Sequence, residues 1–137
     1  IRVILIIVNK SYLSQFTKII TEKNNFGIKI QYKDQGNPGG LPEAFIIGEK
    51  FIGKDNIALI LGDNFFYGQS LTKILKKNTS LKYGAKIFLH PVKNSNLYGV
   101  ASLNSKNKVT KLVEKPIRSS SNLAITGLYF FDKKVIN

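Results

Sequence analysis

The stretch Asn56-Ile-Ala-Leu-Ile-Leu-Gly-Asp-Asn64 constrains the fold more than any other part of the chain. Its continuous apolar run reads as a strand of a parallel sheet, covered on both faces. The run ends abruptly in Gly62 and a carboxylate, Asp63. Ligands of open α/β sheets collect outside the carboxyl ends of their strands. An acid placed there can hold a divalent cation against a phosphate, which makes Asp63 the first candidate for chemistry. Capping a turn after a strand is the competing duty for an Asp at such a place.

Segments of helical and strand period surround this run. Val3 to Val8 form a fully apolar strand-type segment. Ser11 can cap a helix in which Leu13, Phe16, Ile19 and Ile20 recur at helical spacing, and Asn24, Asn25 and Gly27 stop it. Ile28 to Tyr32 alternate as a strand, followed by the turn-forming loop Asp34-Gln-Gly-Asn-Pro-Gly-Gly40. Leu41-Pro-Glu-Ala-Phe45 opens a second helix, with Pro42 in the first turn where proline is harmless. Its positions Leu41, Phe45, Ile47, Phe51 and Ile52 suit one buried face.

A helix from about Ser70 to Lys77 and a strand from Ala85 to Val92 come after Asp63. Tyr98 to Leu103 and Val109 to Glu114 read as a hairpin around Asn104–Asn107, and Ala124 to Phe131 as a last strand. Strands alternating with helices imply an α/β fold. The expectation is a mostly parallel sheet flanked by helices, with βαβ crossovers in the first two-thirds and a β-hairpin in the C-terminal third. At 137 residues the chain reads as one domain, residues 1–137, with no internal repeat.

Composition removes several function classes. There is no cysteine, which excludes disulfides and thiolate metal sites. A single histidine, His90, disfavours a His-rich zinc centre or a Ser-His-Asp triad, and it is assigned no role. The apolar runs are too short to span a bilayer, and no basic-plus-hydrophobic leader precedes them. A cytoplasmic protein with no membrane partner is the expectation. The net charge of +13 invites a nucleic-acid reading, because basic domains attract phosphates. However, 19 of the 21 basic residues are lysine, whereas base reading favours arginine forks. The lysines are dispersed and accompany 18 Ile and 13 Asn, the mark of compositional drift in an A/T-rich genome. No nucleic-acid partner is expected.

Four segments stand out together: Gln35-Gly-Asn-Pro-Gly-Gly-Leu41, Leu61-Gly-Asp-Asn64, Tyr98-Gly-Val100 with Glu114-Lys-Pro116, and Thr126-Gly-Leu-Tyr129. In order and spacing the chain resembles the sugar nucleotidyltransferases, most closely the bacterial glucose-1-phosphate thymidylyltransferases. The phrases Ala44-Phe-Ile-Ile-Gly-Glu49, Phe66-Tyr-Gly68 and Thr126-Gly-Leu-Tyr-Phe130 strengthen that likeness, which runs through nearly all of the chain. Each motif alone is weak; the ordered set is specific. The resemblance implies a Rossmann-like nucleotidyltransferase fold, present here in incomplete form, with a nucleotide- and sugar-binding middle section.

The same resemblance implies roles. Gln35 would hydrogen-bond the pyrimidine, and the backbone at Gly40 would approach the same base; a side-chain amide offers donor and acceptor, and glycine permits close approach. A surface turn between strand and helix is the plainer reading of that loop. Asp63 would be a Mg²⁺ ligand bridging to nucleotide phosphate. Tyr98 and Gly99 would line the sugar pocket, Glu114 would accept hydrogen bonds from sugar hydroxyls, and Lys115 would hold the sugar phosphate. Neighbours on a strand face opposite ways, so Glu114 and Lys115 share one ligand only if the chain bends, and Pro116 supplies a reason for bending. A solvated charge pair at a strand end is the alternative. Ile125 and Thr126 would close the pocket, although strand packing explains β-branched residues equally well.

In the family, a phosphate oxygen of the sugar phosphate attacks the α-phosphorus of the nucleotide in line and diphosphate leaves, so positioning and charge neutralisation carry the catalysis. The substrates implied are dTTP and glucose 1-phosphate, the cofactor Mg²⁺, the catalytic residues Asp63 and Lys115, and the assembly a homo-oligomer. The family's Gly-rich G-G-x-G-T-R loop, a following lysine and a second metal-binding Asp have no match here. The chain, which opens directly on Ile1, is thus expected to be a middle section with negligible transferase activity by itself. The family's first strand lies between the strands matched by Val3–Val8 and Ile57–Leu61. Without it these two must pair directly or leave backbone groups unsatisfied, and low stability is expected. A uridylyltransferase or another sugar-phosphate specificity, and a non-catalytic nucleotide-sugar binding module, are the alternatives.

Overall fold

The computed structural model describes residues 1–20, 26–36 and 39–136. The proposed helix stop at Asn24 and Asn25 lies outside them, as do Asn37 and Pro38 of the glycine-rich loop. The chain divides into two compact units, residues 1–55 with 135–137, and residues 56–134.

The first unit contains β1 (Val3–Asn9), α1 (Leu13–Ile19), β2 (Lys29–Gln35) and α2 (Leu41–Ile52). β1 and β2 pair in parallel, from Val3 opposite Lys29 to Asn9 opposite Gln35. Gln35 is therefore the last residue of a parallel strand, three positions further on than its alternating segment indicated. Ile30 and Ile52 are the buried apolar side chains of this unit. Gly48 of α2 is buried too, and a Cβ there would stand 3.5 Å from Leu5 Cδ2, so the missing side chain sets how closely helix and strand approach.

α1 differs from expectation in its start and its packing. Tyr12 stands at the α1 N-cap without a side-chain cap bond. The capping side chain is that of Asn9, before the preceding 3-10 turn, whose Oδ1 accepts from the Ser11 backbone N–H at 3.0 Å and from its hydroxyl at 2.7 Å. Ser11 is the donor, within a short 3-10 turn over Lys10–Tyr12. A capping side chain satisfies amides ahead of it, and Asn at the end of β1 is the first residue placed to do so. No residue of α1 is buried, and Ile19 is 80 % exposed.

The second unit contains β3 (Ile57–Ile60), α3 (Leu71–Asn78), β4 (Ala85–Pro91), β5 (Val100–Leu103), β6 (Val109–Val113) and β7 (Leu123–Phe131). β7 organises it. β4 runs antiparallel along one edge of β7, and β3 and β5 share the other edge, all antiparallel. β5 and β6 form the expected hairpin. The core lies along β5 and β7, where Val100, Ala101, Ala124, Leu128 and Phe130 are buried and Phe130 meets Phe88 at a 5.9 Å ring separation.

The α/β class holds, but among the described residues parallel pairing is confined to β1 and β2. β3 pairs antiparallel with β7, and its burial alternates, leaving Ile60 55 % exposed. An apolar run does not reveal strand direction, because the partner is set by distant residues. β1 pairs with β2 alone and β3 with β7 alone among the described residues, so each keeps an unpaired ladder edge. No helix of the described residues is long and apolar enough to cross a membrane.

Candidate active site

The mouth of the β5–β6 hairpin gathers most of the sugar-side candidates. Tyr98 and Gly99 immediately precede β5, and Glu114 and Lys115 immediately follow β6. The Lys115 amide donates to the Tyr98 carbonyl at 3.1 Å, closing the hairpin, and the Ile125 amide donates to the Gly99 carbonyl at 2.8 Å, tying the mouth to β7. A Cβ on Gly99 would stand 2.7 Å from Glu114 Oε2 and 3.4 Å from Ile125 Cδ1. Glycine at that position thus makes room for the Glu114 carboxylate beside Ile125. Tyr98, Glu114 and Lys115 are all exposed to solvent.

The bend required between Glu114 and Lys115 is present, and it lies at Lys115. This residue has φ +40°, in the left-handed region where non-glycine residues are uncommon. β6 has ended at Val113, and Pro116 is buried behind the turn. The strict alternation of a strand therefore does not apply to the pair. Held strain of this kind clusters at ligand clamps and active sites. Tyr129 of β7 feels the same carboxylate: burial, and then the charge of Glu114, push its phenol above the usual tyrosine value.

Thr126 is engaged elsewhere. The β4–β7 register shifts between Ile87 and Leu89, and the Thr126 hydroxyl donates to the Phe88 carbonyl within that irregularity at 2.9 Å. Ile125 lies against Gly99 at the hairpin mouth; the Thr126 hydroxyl is committed to β4.

Asp63 lies three residues beyond the end of β3, exposed, in a turn stapled to β7 by the Leu61 amide donating to the Gly127 carbonyl at 3.0 Å. Gly127 has φ +73°, and a Cβ there would come within 2.8 Å of Leu61 Cδ1 and would collide with the Asn64 amide. The absent side chain is what lets the Asp63 turn rest on β7. Among the described residues no three His, Cys, Asp or Glu side chains gather as a metal cluster. A lone exposed carboxylate does not hold a dehydrated ion. It does suit Mg²⁺, which keeps several waters and takes its other ligands from substrate phosphates.

In the first unit Gln35 closes β2 and Gly40 precedes α2 with φ +86°, a conformation glycine adopts without penalty. Gln35 Nε2 donates to Glu43 Oε2, and the same carboxylate oxygen accepts from the Gly39 amide at 2.6 Å. The Gln35 hydrogen bond first, and then that of Gly39, hold the Glu43 carboxyl below its ordinary value. Sequence reasoning passed over Glu43 and Gly127. A signal existed for the former: an acid three residues into a helix, positioned to reach back to amides before it. For Gly127 there was none, since its need arises from a turn distant in sequence.

Comparison with known proteins identifies the family. The chain matches the nucleotidyl transferase family over residues 1–137. A glucose-1-phosphate thymidylyltransferase of Neisseria meningitidis is 44% identical over 136 residues, 99% of this chain and 47% of the relative. Another, of Mycobacterium tuberculosis, is 42% identical, covering 88% of this chain and 42% of its own length. A Bacillus anthracis protein solved in complex with a sucrose, and assigned as a glucose-1-phosphate thymidylyltransferase, superimposes with a TM-score of 0.85 at 32% identity, covering 96% of this chain and 53% of that one. The chain spans about half the length of the curated relatives it matches. With the family matched from end to end, the chain belongs to the nucleotidyl transferases.

Proposed function

We propose that this chain carries the base- and sugar-phosphate-binding middle section of a cytoplasmic glucose-1-phosphate thymidylyltransferase, converting dTTP and glucose 1-phosphate to dTDP-glucose and diphosphate. The observation that supports it best is the cluster at the hairpin mouth. An acceptor, Glu114, and a cation, Lys115, leave adjacent backbone positions around a left-handed turn, beside Tyr98, Gly99 and Ile125. That set suits a hexose phosphate: hydroxyls for the carboxylate, the phosphate for the ammonium, and a ring surface for the apolar wall.

In the reaction a P–O bond forms between the sugar phosphate oxygen and the α-phosphorus, the α–β bridging bond breaks, and diphosphate carries the electrons away. Lys115 holds the attacking phosphate and offsets part of its charge, while Glu114, Tyr98 and Gly99 fix the sugar. Gln35 and Gly40 hold the base. Mg²⁺, when bound with the nucleotide, would supply charge neutralisation on the phosphates, and Asp63 is the residue that would hold it.

Calorimetry with dTDP-glucose and with glucose 1-phosphate, each with and without Mg²⁺, tests the reading. Both ligands are expected to bind, and Mg²⁺ to tighten binding of the nucleotide sugar in the wild type and not in Asp63→Asn. Binding of neither ligand by a folded chain would contradict it.

A further inference from the structure

The contact between Gln35 and Glu43 constrains more than the loop it closes. A free glutamine side chain can present either end of its amide, donor or acceptor, to a ligand. An ionised carboxylate only accepts. The contact with Glu43 Oε2 therefore requires the –NH₂ end of Gln35 to face α2. Glu43 is itself held in place, in the first turn of the twelve-residue helix α2, by the Gly39 amide at 2.6 Å. The two hydrogen bonds lower its carboxyl further from protonation at neutral pH. Gln35 is left with its carbonyl Oε1, to which no described residue donates.

We propose that Glu43 is a positioning residue for base recognition: it locks the Gln35 carboxamide so that Oε1 faces the nucleobase, selecting bases with a ring N–H over bases with a bare ring nitrogen. This rests on the reading of Gln35 as the base contact. Thymine and uracil carry an N–H at the edge that such an acceptor meets. Cytosine presents a lone pair there, and two acceptors would face each other at the cost of an unmade hydrogen bond. Glu43 as a helix cap alone would stabilise the fold and leave base choice untouched.

The nucleotides dTTP and dCTP share sugar and phosphates, so the ratio of their affinities isolates the base. Both would be titrated into the 137-residue chain and into Glu43→Ala, Glu43→Gln, Gln35→Ala and the double alanine variant, with thermal unfolding followed in parallel. The wild type is expected to prefer dTTP, and Glu43→Ala to reduce that preference by about tenfold. Glu43→Gln should fall between, because its amide keeps an acceptor but can itself turn. The double variant should discriminate no less than Gln35→Ala alone. A Glu43→Ala chain that melts earlier yet keeps its full preference would show a cap and overturn the proposal. Full preference in Gln35→Ala, or equal affinities in the wild type, would instead remove the base-contact reading, and this inference with it.

Discussion

Lys115 carries a conflict between stability and ligand binding. At φ +40° its side chain costs about 1 kcal/mol or more relative to glycine. Lys115→Gly is expected to raise unfolding free energy by about 0.5–1 kcal/mol in denaturant titrations. The same change removes the ammonium assigned to the sugar phosphate. Tyr129 gives a prediction in alkali. Its pKa is raised in the fold, so the neutral form is the favoured one. The folded state keeps its full advantage below the ordinary tyrosine value of 10.0 and loses it as pH rises through the raised value. Unfolding followed from pH 9 upward (about where phenols begin to titrate) should show stability falling, and Tyr129→Phe should flatten that fall. Equal slopes in the two proteins would contradict the assignment. Among single residues, Gln35, Tyr98, Glu114 and Lys115 could be proposed from sequence because their types suit the chemistry and stand within ordered motifs. Glu43 was hidden because a carboxylate in a first helical turn has an ordinary duty there.

At the scale of elements, period and punctuation revealed the β-strands and α-helices of the described residues to within a few residues, and the hairpin with its Asn104 turn, but not the 3-10 turns at Lys10–Tyr12 and Ser95–Leu97. Pairing was not legible. β3 reads as buried on both faces, yet its exposure alternates, and its ladder partner is the antiparallel segment Leu128–Phe131 of β7. The turn after β3 depends on Gly127. Gly127→Ala places a Cβ at positive φ against Leu61 and Asn64, backbone and packing faults together. A loss of about 2–4 kcal/mol is expected in chemical denaturation. β1 and β3 each retain an unpaired edge among the described residues, and large apolar side chains such as Phe65, Tyr67 and Ile117 are exposed. An exposed edge favours association over solubility. The chain by itself is expected to unfold at low denaturant, and a cooperative transition at high denaturant would contradict that.

For the whole molecule, the proposed base contacts Gln35 and Gly40 belong to one compact unit, and the proposed sugar contacts and Asp63 belong to the other. The sequence was read as one domain, so the division into two units was not legible in it, and the left-handed turn at Lys115 came only with the backbone. Family membership rests on a match across residues 1–137, and the proposed sugar-phosphate site rests on the hairpin mouth. Titrating dTDP-glucose into the wild-type chain and into Lys115→Ala, with circular dichroism to verify that both are folded, tests that mouth most directly. Loss of a charged hydrogen bond to phosphate should weaken binding by about tenfold or more in the variant. Equal affinities in two folded proteins would contradict the placement of the sugar phosphate at the end of β6.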